Sequence, residues 1–517
     1  FSSDDQSIRE ALISCLNRRG IDHQDLAQAS VSILNCSHDF TSLIAQLEST
    51  SPDVRAALFH NPDLLRFASD PLLLSLLKKT LILDREFEHL LTGIRRQCLL
   101  LAVRDTMNIP DAEPWNSFLC SLATHCFLNE YVYSMTDFEK QALDKLKGET
   151  LDRIDKSCDS FSRYVILLGC FIPLGMLGRN DELLALTSNL SSPELDELIT
   201  NHIREPETER KFLTALISVG VADNTVSKTV QSQYEENPYP RWTSLYKTRP
   251  RPAKEVITEL FPTISESNLS LSNAPDILIA GCGTGRHAIY TTTRFDQSTV
   301  VAIDISRIRL AYAARKAREL DVSNISFIQS DILNLTPDKG NFDIIECVGV
   351  LHHMEDPVHG WKILKNLLKP GGFMKIGLYS QLARLHIAAA RTFIEENNFL
   401  STPDGIRACR QAIFDLPVNS PLKKLTTCGD FYSLSTTRDL IFHVQEHLFT
   451  IPEISTIIEN LELEFLGFEL DDKRVLQEDN DGILCDPATM SLEDWHELEL
   501  EHPDTFINMY RFWVRNK

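Results

Sequence analysis

The sequence predicts an α/β protein, in which a doubly wound parallel sheet follows an all-α region. Leucines recur at three- and four-residue spacing through most of residues 1–225, which is typical of packed amphipathic helices. From about residue 275, short apolar strands alternate with helical segments, as in parallel sheets covered by helices on both faces. The first of these strands runs directly into GCGTG, residues 281–285, where a helix follows. Such a loop can bring backbone N–H groups close to a ligand.

Seven strands are predicted, the last of them antiparallel. They are ILIA (277–280), VVAI (300–303), ISFI (325–328), FDIIECV (342–348), GFMKIGLY (372–379), LEFLGFEL (463–470) and MYRFWVRN (509–516). AYAARKAREL and HGWKILKNLLK are predicted as helices between them. A mostly helical insertion follows the fifth strand. Because ligands of doubly wound sheets bind at the carboxyl ends of the strands, an insertion there can build an acceptor pocket.

The chain is predicted to divide into three regions. Residues 1–225 form a helical domain that serves as a substrate platform or dimerisation surface, and residues 226–262 form a linker and active-site cover. Residues 263–517 form the catalytic domain, with residues 381–450 as a helical substrate lid. The apolar run YVILLGCFIPLGMLG, residues 164–178, is too short to cross a bilayer and predicts a buried helix. No secretory leader is recognisable at the start of the sequence, so none is expected.

Composition restricts the partners. The net charge of −22 opposes binding to nucleic-acid phosphate, and the basic segment KTRPRPAK (247–254) is interpreted as a solvated linker rather than a binding patch. Twelve cysteines occur singly, without a CxxC pair, which favours reduced thiols in the cytoplasm. We therefore expect no nucleic-acid partner and no membrane span.

The spacing of the glycines limits which ligands the loop can be expected to bind. A dinucleotide-binding loop needs glycine at its first, third and sixth positions, whereas the sixth position here is Arg286. The GxGxG pattern resembles the loop of class I S-adenosylmethionine-dependent methyltransferases. The alternative is another doubly wound fold that binds a nucleotide or flavin.

Two acids follow the next strands. Asp304 ends the second strand, where a carboxylate can accept hydrogen bonds from both ribose hydroxyls. Asp331 follows the third strand, where methyltransferases of this class hold the adenine. The resemblance thus implies an adenine contact from Asp331 beside an apolar wall from Ile332, although Asp331 could equally cap a turn. The predicted cofactor-binding residues are Gly281, Cys282, Gly283, Gly285, Asp304, Ile305, Asp331, Ile332 and Val348.

HVQEH, residues 443–447, matches HxxEH, a zinc-peptidase motif. Two histidines on one helical face supply only two ligands, and a third would have to come from elsewhere. Nothing downstream repeats the pattern expected of such a peptidase, so no metal is predicted. The segment belongs to the insertion after the fifth strand, and His443 and Glu446 are therefore predicted substrate contacts. Helix packing and surface solvation are the alternatives.

Several segments together resemble a known group. QYEENPYPRW, ILIAGCGTGRHAI, ECVGVLHH, KPGGFMKIGLYS, DLIFHVQEHLFT and MYRFWV are similar to bacterial class I methyltransferases that carry a tetratricopeptide-type or other helical region before the catalytic domain. The chain resembles, less closely, rickettsial protein-lysine methyltransferases that modify outer-membrane proteins. The resemblance implies a Rossmann-like sheet and S-adenosylmethionine as the methyl donor. Many members have an acid two positions before the first glycine, where this chain has Ile279.

The predicted reaction is in-line displacement of the donor's methyl group, in which alignment and exclusion of water provide most of the acceleration. The acceptor is predicted to be a protein or peptide side chain such as lysine. A small-molecule acceptor and a donor-binding adaptor without turnover are the alternatives, and a homodimer is a further expectation. The predicted catalytic residues are His353, Tyr234 and Glu346, although histidines at this position could also be structural.

QYEENPYPRW, residues 233–242, lies about thirty-five residues before the glycine loop. Prolines fix its path, so it could cross the top of the sheet and cover the donor site. Tyr239, Arg241 and Trp242 then become predicted substrate contacts. A stiff linker with buried aromatic side chains is the alternative.

Overall fold

The computed structural model describes residues 6–48, 57–104, 113–156, 162–189, 192–220, 224–236, 239–266, 269–336, 340–470, 490–507 and 509–517. The chain forms two compact units. The helical unit comprises Phe1–Thr208, Arg241–Tyr246 and Ala390–Phe442, and the sheet unit comprises Glu209–Pro240, Lys247–Ala389 and His443–Lys517. These boundaries differ from the predicted ones, because the first long segment ends at residue 208 and residues 390–442 pack with the helices.

The helical unit is built from short helices whose starts are marked in the sequence. Asp70 caps one of them by accepting hydrogen bonds from the N–H groups of Leu72 and Leu73, and Asp84 caps the next helix in the same way. The helices that the leucine spacing predicts for this region are therefore present. The α-helices are Gln6–Leu16, Ala27–Asn35, His38–Glu48, Pro62–Ala68, Pro71–Lys79, Arg85–Val103, Glu113–Leu128, Asp137–Asp155, Ser162–Gly169, Asn180–Asn189, Pro193–Ile199, Pro403–Asp415 and Leu434–Ile441.

Shorter elements complete this unit. The predicted buried helix at 164–178 is an α-helix, Ser162–Gly169, followed by a short 3₁₀-helix, and its side chains from Tyr164 to Leu168 are buried. Helices Glu205–Ala215 and Leu385–Glu396 each contain a boundary between the units. Within the residues described above, no helix combines the length and the apolar character needed to cross a membrane. The remaining short helices are His23–Leu26, Ala57–His60, Leu174–Leu177, Thr200–Arg204, Pro421–Thr427 and Gly429–Tyr432.

Residues 390–442 share the core of the helical unit. Ile406 and Leu434 belong to the same buried cluster as leucines from the first two hundred residues. Arg410 forms a bidentate ion pair with Glu88, with N–O distances of 3.0 and 2.8 Å, and both side chains are largely buried. Residues 390–442, the central part of the predicted lid, therefore pack into the core of the helical unit.

Breaking this buried pair is expected to destabilise the helical unit. Arg410→Met leaves the Glu88 carboxylate buried without its cation, which typically costs about 3–5 kcal/mol. The free energy of unfolding of the full chain, measured by urea denaturation, should fall by an amount in that range. The double variant Glu88→Gln/Arg410→Met should recover part of the loss, since it removes the unpaired charge.

The exposed pair between Arg204 and Asp196 provides a control for this prediction. Its loss through Asp196→Ala should cost less than about 1 kcal/mol, because solvent screens the interaction. Equal losses for Arg410→Met and Asp196→Ala would contradict a structural role for the buried pair.

The sheet unit contains eight strands. They are β1 (Ile217–Ser218), β2 (Asp276–Ala280), β3 (Thr299–Asp304), β4 (Ile325–Gln329), β5 (Phe342–Val348), β6 (Leu368–Leu378), β7 (Leu463–Phe468) and β8 (Tyr510–Asn516). Their order in the sheet is β1-β4-β3-β2-β5-β6-β8-β7, and β8 is antiparallel to both neighbours. All seven predicted strands are present. The eighth, β1, is a two-residue edge strand that is too short to produce an alternating pattern.

The order of the strands creates one switch point. From β2 the chain builds outward through β3 and β4, then returns to place β5 on the other side of β2. The carboxyl ends of β2 and β5 therefore border the crevice where doubly wound sheets bind ligands. The helices of this unit are Thr225–Tyr234, Ala253–Leu260, Arg286–Arg294, Arg307–Glu319, Pro357–Leu367, Ile451–Asn460 and Leu492–Glu501, with short helices at Ile332–Asn334 and Leu351–His353.

Candidate functional site

The glycine loop follows β2 and turns back onto β3. The N–H groups of Gly281 and Cys282 both donate to the Ile303 carbonyl, at 2.8 and 2.9 Å. Gly281, Gly283 and Gly285 have φ values of +80°, +54° and +81°, a region that favours glycine. A Cβ atom at 281 would lie 2.2 Å from Val350, whereas a Cβ at 283 would meet nothing within 4 Å. The loop is thus tightly packed at its first glycine and faces open space at its second.

Asp304, the last residue of β3, is fixed beside this loop. Its Oδ2 accepts a hydrogen bond from the Gly283 N–H at 2.8 Å, and its Oδ1 accepts one from the Ser306 N–H at 2.9 Å. The side chain is buried and lines a pocket at the carboxyl end of the sheet. Each carboxylate oxygen retains capacity for a further hydrogen bond, so this group can accept from two neighbouring hydroxyls.

Asp331 presents an unsatisfied oxygen to the same pocket. Its Oδ1 accepts a hydrogen bond from the Leu333 N–H at 3.0 Å and caps a short helix. Its Oδ2 is buried and has no hydrogen-bond partner among the described residues. Because buried polar atoms are normally paired, this oxygen suits a ligand that donates a hydrogen bond. The sequence left open whether Asp331 caps a turn or contacts a ligand. In the structure Oδ1 caps the short helix, and Oδ2 is available to a ligand.

The pocket has a volume of about 100 Å³. Seven predicted site residues line it: Tyr234, Gly281, Asp304, Ile305, Asp331, Ile332 and His353. Its lining does not include Cys282, Gly283, Gly285 or Val348, although Gly349 and Val350 directly after Val348 do line it. Gly285 has a packing role, since a Cβ there would lie 2.5 Å from that of Ala313.

Sequence reasoning missed seven lining residues: Ser227, Val230, Arg309, Ser330, Gly349, Val350 and Met354. Ser227 and Val230 lie on helix Thr225–Tyr234 together with Tyr234, at spacings of three and four residues. This spacing places one helical face towards the pocket, and it is a signal that the sequence contains. The guanidinium of Arg309 lies 3.5 Å from the centre of the Tyr234 ring and 4.3 Å from that of Tyr239.

The segment QYEENPYPRW contacts the glycine loop through its described part in the sheet unit. Thr284 donates a hydrogen bond from Oγ1 to the Pro240 carbonyl at 2.8 Å, and Ser306 donates to the Tyr234 carbonyl at 3.1 Å. Tyr239 is buried against Tyr234 and is not part of the lining. The segment therefore packs along the loops after β2 and β3.

Arg241 and Trp242 belong to the helical unit. The Arg241 guanidinium lies 4.4 Å from the centre of the Phe127 ring in that unit, and Trp242 is buried. The structure does not bring these two predicted substrate contacts into the lining of the pocket.

A cluster of histidines borders the pocket at His353. Nδ1 of His353 donates to the Gln445 carbonyl at 2.8 Å, so the neutral ring carries its lone pair on Nε2. The ring stacks on His443, with centroids 3.8 Å apart. Nδ1 of His443 accepts from the Gln445 N–H, and its Nε2 therefore donates to the Tyr234 hydroxyl at 2.9 Å. The two rings hold each other and Tyr234 in defined orientations.

The neighbouring His352 has a different environment. It is fully buried and stacks on Tyr379, with centroids 3.8 Å apart. Burial, followed by the nearby histidines and Arg384, lowers its pKa well below the ordinary value. His352 is therefore a neutral ring inside the protein, whereas His353 lines the pocket.

HVQEH is not helical in the structure, because the helix before it ends at Ile441. The helical geometry that the zinc motif requires is therefore absent from these residues. Glu446 accepts hydrogen bonds from Arg384 at 3.2 and 3.1 Å, and both side chains are almost fully buried. Neither His443 nor Glu446 belongs to the pocket lining.

Glu346, a predicted catalytic residue, lies on β5 outside the pocket lining. It forms an ion pair with His287 and accepts a hydrogen bond from Thr291 at 3.1 Å. Burial raises the pKa of Glu346, but the attraction of His287 and more distant cations outweighs burial and lowers the pKa to about 2. The geometry thus indicates a structural ion pair.

Glu346→Gln is expected to lower stability without abolishing methyl-donor binding. A pKa lowered from 4.5 to about 2 corresponds to about 3 kcal/mol. Since the folded-state pKa lies below the unfolded one, this contribution is present above about pH 4.5 and is lost as the pH falls towards 2. Urea denaturation at several pH values should show the variant's deficit shrinking on acidification. A deficit that does not change with pH would contradict the ionised pair.

Comparison with known proteins agrees with this geometry. Residues 277–372 match a family described as "Methyltransferase domain". The sheet unit contains a methyltransferase domain. An uncharacterized protein of Synechococcus is 34% identical over 203 residues, which cover 38% of this chain and 48% of that protein. The ubiquinone biosynthesis O-methyltransferase of Acinetobacter baumannii is 31% identical over 97 residues, which cover 19% of this chain and 40% of that protein.

The chain thus spans about half or less of the length of these curated relatives. Among solved structures, PKMT2 from Rickettsia typhi is 15% identical, with a TM-score of 0.39, over 55% of this chain and 53% of that one.

The methyltransferase domain is of the class that uses S-adenosylmethionine, and polar groups that line the pocket suit this donor. The unpaired Oδ2 of Asp331 can accept from the adenine amino group, and the Asp304 carboxylate can accept from the ribose hydroxyls. Both acids are donor contacts predicted from the sequence, and both line the pocket.

Proposed function

We propose that this chain is an S-adenosylmethionine-dependent methyltransferase whose acceptor is a protein or peptide side chain such as lysine. The pocket at the switch point of the sheet supports the first part of this proposal, because Gly281, Asp304 and Asp331 all line it. S-adenosylmethionine supplies a methyl group already activated by its sulfonium, so the protein contributes alignment and exclusion of water.

His353 is the residue we assign to proton removal. It lines the pocket, and its Nδ1–H···O bond to Gln445 keeps the basic lone pair on Nε2. A lysine ammonium or a hydroxyl must lose a proton to act as a nucleophile, and an imidazole has a suitable pKa for accepting it. Tyr234, held by His443, is placed to orient the acceptor beside it.

The charge of the chain supports a cationic acceptor. With a net charge of −22, the protein attracts basic partners and repels nucleic acids. A lysine side chain brings its own positive charge to such a surface. The reduced state of the cysteines, which form no disulfide within the described residues, supports a cytoplasmic location for this reaction.

A small-molecule acceptor is the second candidate. Two relatives that match the domain are named for small-molecule methylation: the ubiquinone biosynthesis O-methyltransferase and the 27-O-demethylrifamycin SV methyltransferase of Amycolatopsis mediterranei, 32% identical over 110 residues. A hydroxyl acceptor would use His353 in the same way as a lysine does.

Methyl transfer can be tested with isotopically labelled donor. The purified chain is incubated with labelled S-adenosylmethionine and host lysate, and the protein and small-molecule fractions are then counted separately. Label in protein that hydrolysis recovers as methyl-lysine is the expected result. Label confined to extractable small molecules would favour the second candidate, and donor binding without any transfer would indicate an adaptor.

A further inference from the structure

Besides the pocket of the sheet unit, the protein has a concave surface in the helical unit, which we call the basic groove. Its walls are one face of helix Arg85–Val103, extended by Arg104, and one face of helix Pro403–Asp415, with residues 134–136 and Lys140 beside them. All of these residues lie in the helical unit. The groove is therefore separate from the pocket at Asp304.

The groove is long enough for a peptide. On the first wall, its residues recur at positions 89, 92, 93, 96, 97, 100 and 104, the spacing of a single helical face. A helix rises 1.5 Å per residue, so this face extends for roughly 22 Å. A helical segment of about fifteen residues or an extended one of about seven would match that length.

The charges of the groove are opposite to those of the whole protein. Among the described residues that line it, Arg96, Arg104, Lys140 and Arg407 are cations and Asp404 is the one carboxylate. Asp404 is shared by Lys140 and Arg407, each at 2.9 Å. The excess of cations within a chain of net charge −22 is a local exception that favours an anionic partner.

The charge of Arg96 is partly neutralised by a buried glutamate beneath the groove. Arg96 lies 3.0 Å from Glu139, but the Glu139 side chain is almost fully buried and caps the helix that begins at Asp137. Burial, followed by local charges, lowers the pKa of His89, so this ring adds no full charge at neutral pH. Lys140 and Arg407 share Asp404, and Lys140 also lies 3.5 Å from Asp137. Among the described residues that line the groove, the excess positive charge is therefore greatest at Arg104.

Apolar side chains lie between the cations. Leu47, Leu100 and Met135 line the groove, and Leu47 lies within 2.9 Å of where a Cβ at Gly93 would be. A phosphate-rich ligand would leave these apolar surfaces uncovered. A peptide with acidic and apolar side chains would cover them and neutralise the cations.

We propose that the basic groove binds an acidic peptide segment with interspersed apolar side chains, carried by a partner protein. The charge complementarity and the length of the groove both support this occupant. This binding goes beyond methyl transfer and does not rest on it. It would give the chain a docking function for proteins.

The probe is a fluorescein-labelled peptide of about fifteen residues, with glutamates on one helical face and leucines on the other. Fluorescence polarisation with the full chain should show binding that weakens as salt is raised. Arg104→Glu should weaken that binding about fivefold or more, since it replaces an attraction by a repulsion. Gln411→Glu, on the opposite wall, should act in the same direction.

Arg19→Glu is the matched control. Arg19 is an exposed residue in a turn after a helix, like Arg104, but it does not line the groove. The Arg19→Glu variant should bind the peptide as tightly as the wild-type chain does. Equal losses for Arg19→Glu and Arg104→Glu, equally tight binding of a lysine–leucine peptide, or preferential binding of a single-stranded oligonucleotide would overturn the proposal.

Discussion

Asp304→Ala is expected to abolish measurable methyl transfer, because it removes the polar contact that we propose for the donor. The wild-type carboxylate is held by two backbone N–H groups and is aimed into the pocket. Hydrogen bonds to charged groups contribute about 1.5–3 kcal/mol each, so the loss of two should weaken donor binding by at least about a hundredfold. Isothermal titration with S-adenosylhomocysteine measures this loss directly.

Asp304→Asn keeps the approximate shape of the side chain but removes its charge and one of its two acceptor oxygens. One of its two oxygens becomes an NH₂ group, which cannot accept from the Gly283 or Ser306 N–H. The variant should therefore also lose donor binding. Asp276→Asn is the control, since Asp276 is half-exposed at the start of β2 and pairs with Lys369. Donor binding of wild-type strength in Asp304→Ala would refute the assignment of this pocket.

His353→Gln is expected to slow methyl transfer while leaving donor binding nearly unchanged. General-base catalysis typically contributes about 100- to 10,000-fold, so kcat should fall by a factor in that range. The pH profile of kcat/KM should lose its acidic limb, because that limb reports protonation of the base. Stopped assays with labelled donor across neutral and mildly acidic pH provide both readouts.

His447→Gln is the control for this variant. Nε2 of His447 lies 2.9 Å from the Gln445 side chain, and the residue does not line the pocket. It should retain both the rate and the pH profile. If His353→Gln kept the acidic limb and lost only stability, the histidine would be a packing residue rather than the base.

Much of the candidate pocket could be predicted from the sequence. The order of strand, GCGTG, Asp304 and Asp331 is local information, since each motif follows directly on its own strand. Parallel strands bring those carboxyl ends to one edge, and the three motifs therefore meet in the pocket. Glu346, which the sequence suggested as a catalytic residue, lies inside β5 rather than at its end. It pairs with His287 on helix Arg286–Arg294 and is outside the pocket lining.

Other parts of the site depend on distant contacts. Helix Thr225–Tyr234 contributes Ser227, Val230 and Tyr234 to the pocket, although it lies about fifty residues before the glycine loop. Its helical spacing was visible in the sequence, but spacing alone does not say which surface a helix contacts. The tandem histidines likewise have different roles because only one of the two rings reaches the pocket.

The sequence by itself determined the α/β class, the seven main strands and the glycine loop with its two acids, because periodicity and turn chemistry act over a few residues. Only the tertiary structure decided that residues 390–442 pack with the helical unit, that Glu346 forms a buried ion pair and that the cations of the basic groove share one surface. Glu88 and Arg410 are separated by 322 positions in the chain. Contacts between residues so far apart depend on how whole helix faces are buried against each other, and a local sequence pattern does not specify this.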